Sequence, residues 1–270
     1  LIYALALTFA KIVHELGHAY AAKRHGLRVS SMGVAFLVFW PVLFTDTTDS
    51  WRLRWGHQRF VVAGAGMAAE IALAAWALLF WSLIPTGPVQ SALFALATAT
   101  WILTLVVNLN PLIRFDGYFL LSDALAVENL QPRSFALLRH YFRTYCLGLT
   151  DADPEPALND RLRRGMTVYA IGALLYRLFL AIGIGVLLYY FAFKILGILA
   201  LLAVIMIMIV QPMLKEVRTM ARSGGALARP GRLALFVALL STGIALIFYP
   251  WQGNVSAPAI LKIRAQTHIY

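Results

Sequence analysis

The chain has 270 residues, 61% of them hydrophobic and only 13% charged, with a mean hydropathy of +0.75. Soluble domains carry charge on about a quarter of their residues, so the composition excludes a soluble domain and indicates a polytopic membrane protein. The net charge of +11 does not point to nucleic acid, because the basic residues fall between apolar runs and so set topology; the single cysteine, Cys146, excludes an internal disulfide and a cysteine-based zinc site.

Apolar runs long enough to cross about 30 Å of hydrocarbon occur at 1–22, 60–84, 91–110, 167–190, 193–213 and 232–250. They predict an all-α polytopic fold with about six transmembrane helices. Residues 32–44 are apolar too, but the run is short and holds Gly33 and Pro41, so it is expected to turn back as a re-entrant hairpin or sheet. With that segment re-entrant, eighteen of the 23 basic residues share one side, in the loops after the first, third and fifth runs. The positive-inside rule then places those loops in the cytoplasm and both ends of this chain outside.

Residues 1–125 are expected to form the membrane core, 126–165 a cytoplasmic loop and 166–250 further transmembrane helices. Within the loop, Asp151-Ala-Asp-Pro-Glu-Pro is turn-forming. Residues 134–144 fit either a basic amphipathic helix lying on anionic lipid or a plain solvated helix. From about Ile260 apolar and polar residues alternate with the period of a half-buried strand, so 251–270 is predicted to begin an extracytoplasmic β-domain that this chain cuts short.

The chemistry concentrates in the first run, at His14-Glu15-Leu16-Gly17-His18. A spacing of four returns a helix to within about 40° of its start, so both imidazoles can grip one zinc ion, with Glu15 beside it as a general base toward water. Ionised groups at that depth cost about 2.5 kcal/mol or more, which favours function over two core histidines with Glu15 paired to Lys11. Zinc also suits two nitrogens and one oxygen better than its rivals do.

A catalytic zinc takes three protein ligands. The third run ends in Asn108-Leu-Asn-Pro111-Leu-Ile-Arg-Phe-Asp116-Gly117, the other place where polar residues crowd the edge of an apolar run. Its Asn-Pro and Asp-Gly pairs could be mere turn punctuation. On the topology above, however, Asp116 arrives at the depth of His14 and His18.

Taken together, His14-Glu15-x-x-His18 and Asn108-x-x-Pro111-x-x-x-x-Asp116-Gly117 resemble the two signatures of the site-2 protease family of intramembrane zinc metalloproteases. The resemblance covers residues 1 to about 125. It implies that His14, His18 and Asp116 bind Zn2+, that Glu15 is the catalytic base, and that Asn108 holds substrate backbone. Residues 51–59 and 115–123 look more like a bacterial subgroup whose membrane domain precedes a periplasmic adaptor, or membrane-fusion, domain. That implies a multi-pass protein of the bacterial inner (plasma) membrane, with a peptide or membrane-protein substrate and export-system partners. One departure stands out: where many members carry Gly-Pro-x-x-Asn, this chain has Gly66-Met-Ala-Ala-Glu70.

The expected activity is peptide-bond hydrolysis at or within the cytoplasmic leaflet, with processing of an exported peptide as one form of it. The rival is a non-proteolytic zinc-containing subunit that anchors an adaptor domain in a peptide export system; a zinc transporter ranks behind both. Lys11, Glu70 and Arg177 are intramembrane charges expected to pair. His25, His57, His140 and His268 are expected at the surface, Asp123 as a cap or solvent-facing group, and Gly64 and Gly66 at close helix contacts.

Overall fold

The computed structural model describes residues 2–37, 40–53, 56–147 and 152–222 and the single positions 231 and 241. Helix α1 (Ile2–Arg24) leads into a β-hairpin, β1 (Met32–Leu37) and β2 (Trp40–Thr45), and a short 3-10 turn (Thr48–Arg52). Then come α2 (Gly56–Leu83), α3 (Pro88–Ile102), the short α4 (Asp116–Ala124) and α5 (Leu130–Tyr141). The long α6 (Asp160–Phe191) is followed by α7 (Lys194–Ile205) and α8 (Gln211–Arg222).

The expectation of an all-α fold with about six spans is corrected on two counts. Among the described residues, four helices are long and apolar enough to cross a membrane: Gly56–Leu83, Pro88–Asn108, Asp160–Phe191 and Lys194–Glu216. Helix α1 forms as expected, but Lys11, His14, Glu15 and His18 lower its hydropathy, and the run at 232–250 lies outside the described residues. The strands of the described chain are β1 and β2, at 32–45, whereas a β-domain was expected at the C-terminal end. The stretch 251–270 lies outside the described residues.

The hairpin is antiparallel, with Met32 opposite Thr45 and Phe36 opposite Pro41. Pro41 lacks an N–H and is tolerated because each strand of a two-stranded sheet is an edge. Asp46 closes the base. Its amide donates to Ser31 O (2.8 Å), and its carboxylate accepts from Ser30 Oγ (2.8 Å) and the Thr48 amide (3.0 Å). Hydrogen bonds from Thr48 and then Ser30 hold the Asp46 carboxyl below its ordinary range.

Helices α1, α2 and α3 pack through small residues at a spacing of four. The buried stripe of α1 includes Ala6, Ala10, His14, His18 and Ala22, and that of α2 includes Val62, Gly66, Glu70 and Ala74. Rows four apart form ridges that interdigitate. Without a hydrophobic force between helices in lipid, small residues allow the close approach that packing needs. Gly17 shows how close: a Cβ there would fall 2.7 Å from Ala65 O.

A second packing unit lies beyond the third helix, where Tyr118, Val127, Leu130, Leu137, Met166, Tyr169 and Ala173 form one buried cluster. Within residues 134–144, Ser134 and Leu137 of α5 are fully buried, so that face of the helix packs on protein. Helix α6 is about 48 Å long at 1.5 Å per residue, more than a bilayer's hydrocarbon, so its polar first turns can reach beyond it. Helices α6 and α7 then pair through Gly185 and Gly197, where a Cβ would meet Leu201 and Tyr189.

Candidate metal centre

His14 and His18 sit on the buried stripe of α1, and their rings meet edge-on with centroids 4.7 Å apart. Asp116 opens α4, and its Oδ2 lies 2.9 Å from His14 Nε2 and 3.5 Å from His18 Nε2; the two Nε2 atoms are 3.1 Å apart. The third side chain of the cluster thus comes from past the end of the third helix.

The loop between Asn108 and Asp116 explains how it gets there. The helix ends in a π-helical stretch, Leu103–Asn108, just before Pro111. The loop is then pinned from outside: Tyr169 of α6 donates to Pro111 O (3.0 Å), Gln131 of α5 donates to Leu112 O (3.4 Å), and Arg114 Nε donates to Gln131 Oε1 (2.9 Å). Gly117 lies so close under Leu109 O that no Cβ would fit. That turns the start of α4, and Asp116 with it, toward α1.

The donor set fits a zinc ion. Tetrahedral bonds of about 2.0–2.1 Å put neighbouring donors roughly 3.3 Å apart, and the three separations here lie on either side of that value. His18 Nδ1 lies 2.8 Å from Val62 O. A carbonyl can only accept, so this bond assigns the ring proton to Nδ1 and leaves the Nε2 lone pair for a metal. His14 Nδ1 lies 3.1 Å from Glu70 Oε1, at an angle too oblique for a regular hydrogen bond. Gly66 makes room for both rings: a Cβ there would fall 2.5 Å from His18 Nε2 and 2.7 Å from His14 Nε2.

The cluster opens onto a cavity of about 750 Å³ lined by His14, Glu15, His18 and Asp116, by residues 43–48 of the hairpin's outgoing end, and by Arg59, Arg114 and Asp123. Among the described residues the Glu15 carboxylate has no hydrogen bond or ion pair, whereas its backbone carbonyl accepts from Thr45 Oγ1 (3.1 Å) and ties the hairpin to the site. Arg59 faces Asp123 (3.5 Å) and Glu128 (3.7 Å) at the cavity wall. Burial pushes the Asp123 carboxyl up, partly offset by Arg59.

Residues 2–106 match the model of Peptidase family M50. The M50 match takes in both histidines and Glu15 and stops short of Asp116, so the third ligand position rests on the geometry above. No curated protein and no solved structure matches the chain. The His14, His18 and Asp116 side chains could together hold a metal ion.

Other expected positions fall as follows. Asn108 is buried beside Glu70 and is not among the cavity-lining residues. Lys11 pairs with Glu70 (3.1 Å) and not with Glu15, while Arg177 stacks over the Phe135 ring. His25, His57 and His140 stand apart from the cluster; His268 lies outside the described residues. Sequence reading passed over Val62, Thr104, Tyr169 and Gln131. The first could have been found from its spacing of four with Gly66 and Glu70, but the last two carry no local signal.

Proposed function

We propose that the chain is an intramembrane zinc metalloendopeptidase that hydrolyses a peptide bond at or within the cytoplasmic leaflet. The observation that carries this reading is that one cavity is lined at once by both imidazoles, the Asp116 carboxylate and a Glu15 carboxylate that no other described group engages. A structural metal site has no use for such a base. Zinc, held by His14, His18 and Asp116, supplies Lewis acidity toward water and toward a substrate carbonyl when bound.

The chain's own residues do the rest. Glu15 accepts the proton of the attacking water and can return it to the leaving amine. Peptide bonds in a membrane helix are shielded by their own hydrogen bonds, so a substrate must unwind before it is cut. The outgoing end of β2 lines the cavity and offers an edge for an extended backbone to pair with. Asn108 reaches substrate backbone by releasing Lys11 from its Oδ1, a 3.3 Å contact, while its Nδ2 stays on Glu70. Arg59, in the first turn of α2, and Arg114 fall in the basic stretches that border the apolar runs, so by the positive-inside rule the cavity faces the cytoplasm. The likeness of 51–59 and 115–123 to a bacterial export-associated subgroup supports a plasma-membrane setting and an exported peptide as substrate.

The test is Glu15→Gln in the full chain, with zinc content measured and a co-expressed candidate peptide followed by mass spectrometry. Zinc retained with processing lost is the expected result. Unchanged processing removes the enzyme reading and leaves the non-proteolytic export subunit.

A further inference from the structure

The Glu70 side chain is fully buried in the membrane-spanning helix α2, one turn beyond Gly66 and on the same face. Each of its oxygens meets two groups. Oε1 lies 3.1 Å from Lys11 Nζ and 3.1 Å from His14 Nδ1; Oε2 accepts from Thr104 Oγ1 and from Asn108 Nδ2 (2.8 Å). A carboxylate has about four acceptor sites; here Lys11, Thr104 and Asn108 donate to three of them, and the fourth faces the His14 ring. Thr104 and Asn108 are four residues apart within the stretch Leu103–Asn108, where Leu109 N reaches back to Thr104 O (2.8 Å). Such π-helical turns often occur at functional sites.

Helix–helix adhesion does not require this arrangement. The stripes of alanine and glycine already seat α1 against α2, and a buried ion pair is weak evidence of stability. What Glu70 has beyond an ion pair is the His14 ring, whose Nδ1 is buried with no regular hydrogen bond to any described group. His18 uses a backbone carbonyl for the same purpose, 2.8 Å away.

We propose that Glu70 is the positioning residue for His14, its carboxylate holding Nδ1 so that Nε2 faces the metal, with Lys11 as its counter-charge and Thr104 and Asn108 fixing its plane. The proposal rests on the metal-site reading above. It assigns a role to the residue at which this chain departs from the Gly-Pro-x-x-Asn pattern. Glu70 acts from behind the ring, on the side away from the cavity, and so does not touch substrate.

The test compares zinc affinity, by chelator competition, with the thermal stability of the metal-free protein, using the purified full chain in detergent. The double variant Lys11→Met with Glu70→Gln removes both charges at little change in volume. A purely structural pair predicts wild-type zinc affinity, and that result overturns the proposal. The proposal predicts metal-free stability near wild type and zinc affinity lower by about 10–100-fold, the range for outer-shell partners of a ligating histidine. Should the double variant not accumulate, Glu70→Asp keeps the charge and shortens its reach: weaker zinc binding with a shifted spectrum of the cobalt-substituted protein supports the proposal, and unchanged binding overturns it. Wild-type chain that takes up no zinc in the same titration removes the metal reading and this proposal together, whereas normal wild-type binding with unaffected variants removes only the proposal.

Discussion

The two halves of the membrane region bury different things. A third of the most apolar stretch of α2 is buried in protein, against 6% for the helix that includes α7. The three-helix core of α1, α2 and α3 places His14, His18, Glu70, Thr100, Thr104 and Asn108 inside. The α6–α7 pair leaves Phe179, Tyr190, Phe191 and Ile195 largely exposed, as lipid contact requires. Hydrocarbon tolerates polar groups only where protein satisfies them. The chemistry therefore sits where helices are seated on small residues, and the remaining helices are free to be large and apolar.

The sharpest way to break that contrast is Gly66→Ala. A methyl at 2.5–2.8 Å from both imidazoles must displace the rings, so zinc affinity is expected to fall by about 100-fold, read by chelator competition. Gly64→Ala, with its nearest neighbour Leu120 at 3.5 Å, is expected to bind zinc like the parent. Equal losses in both would show that the site tolerates no change in α2 at all.

Next in size is Gly197→Ala, whose Cβ would fall 2.5 Å from the Tyr189 backbone. It is expected to cost about 1–3 kcal/mol through forced separation of α6 from α7, measured by thermal unfolding in detergent, with zinc content unchanged. Gly183→Ala, in the partner helix α6, meets open space and is expected to shift stability by no more than about 0.5 kcal/mol. Lost zinc in Gly197→Ala would show that the two halves are coupled.

The hairpin base titrates. Because the Asp46 carboxyl is held below its ordinary value, its hydrogen bonds stabilise the base fully above that value and are lost as pH falls through the lowered one. Amide exchange at 46–48, relative to the intrinsic rate at each pH, is therefore expected to speed up as pH falls below the ordinary aspartate range. In Asp46→Asn the exchange is expected to show no such step.

The smallest effect is expected at Ala126, which has a φ of 52° in the turn between α4 and α5. A left-handed alanine is strained, and glycine relieves this at some entropic cost. Ala126→Gly is expected to gain about 0.5–1 kcal/mol in the same unfolding assay, with no change at the metal site.

Much of the site was legible along the chain because its parts are local. His14 and His18 are one turn apart, so helix geometry alone puts them on one face, and Asp116-Gly117 marks a turn after the only other polar edge of an apolar run. The short segment at 32–44 was read as re-entrant from its length and its Gly33 and Pro41, and it folds as a hairpin. The count of spans differs at α1, where the polar residues of the candidate site lower its hydropathy; the run at 232–250 lies outside the described residues.

By itself the sequence determined periodicity: stripes four residues apart on α1 and α2, with chemistry built into them. Only tertiary structure decided which stripes meet. Tyr169 and Gln131 hold the Asn108–Asp116 loop so that a carboxylate a hundred residues away closes on two imidazoles, and Glu70 turns from the cavity to the back of His14. The physical reason is that periodicity is a property of one helix, whereas a buried charge finds its place from whatever partners the packing brings within reach.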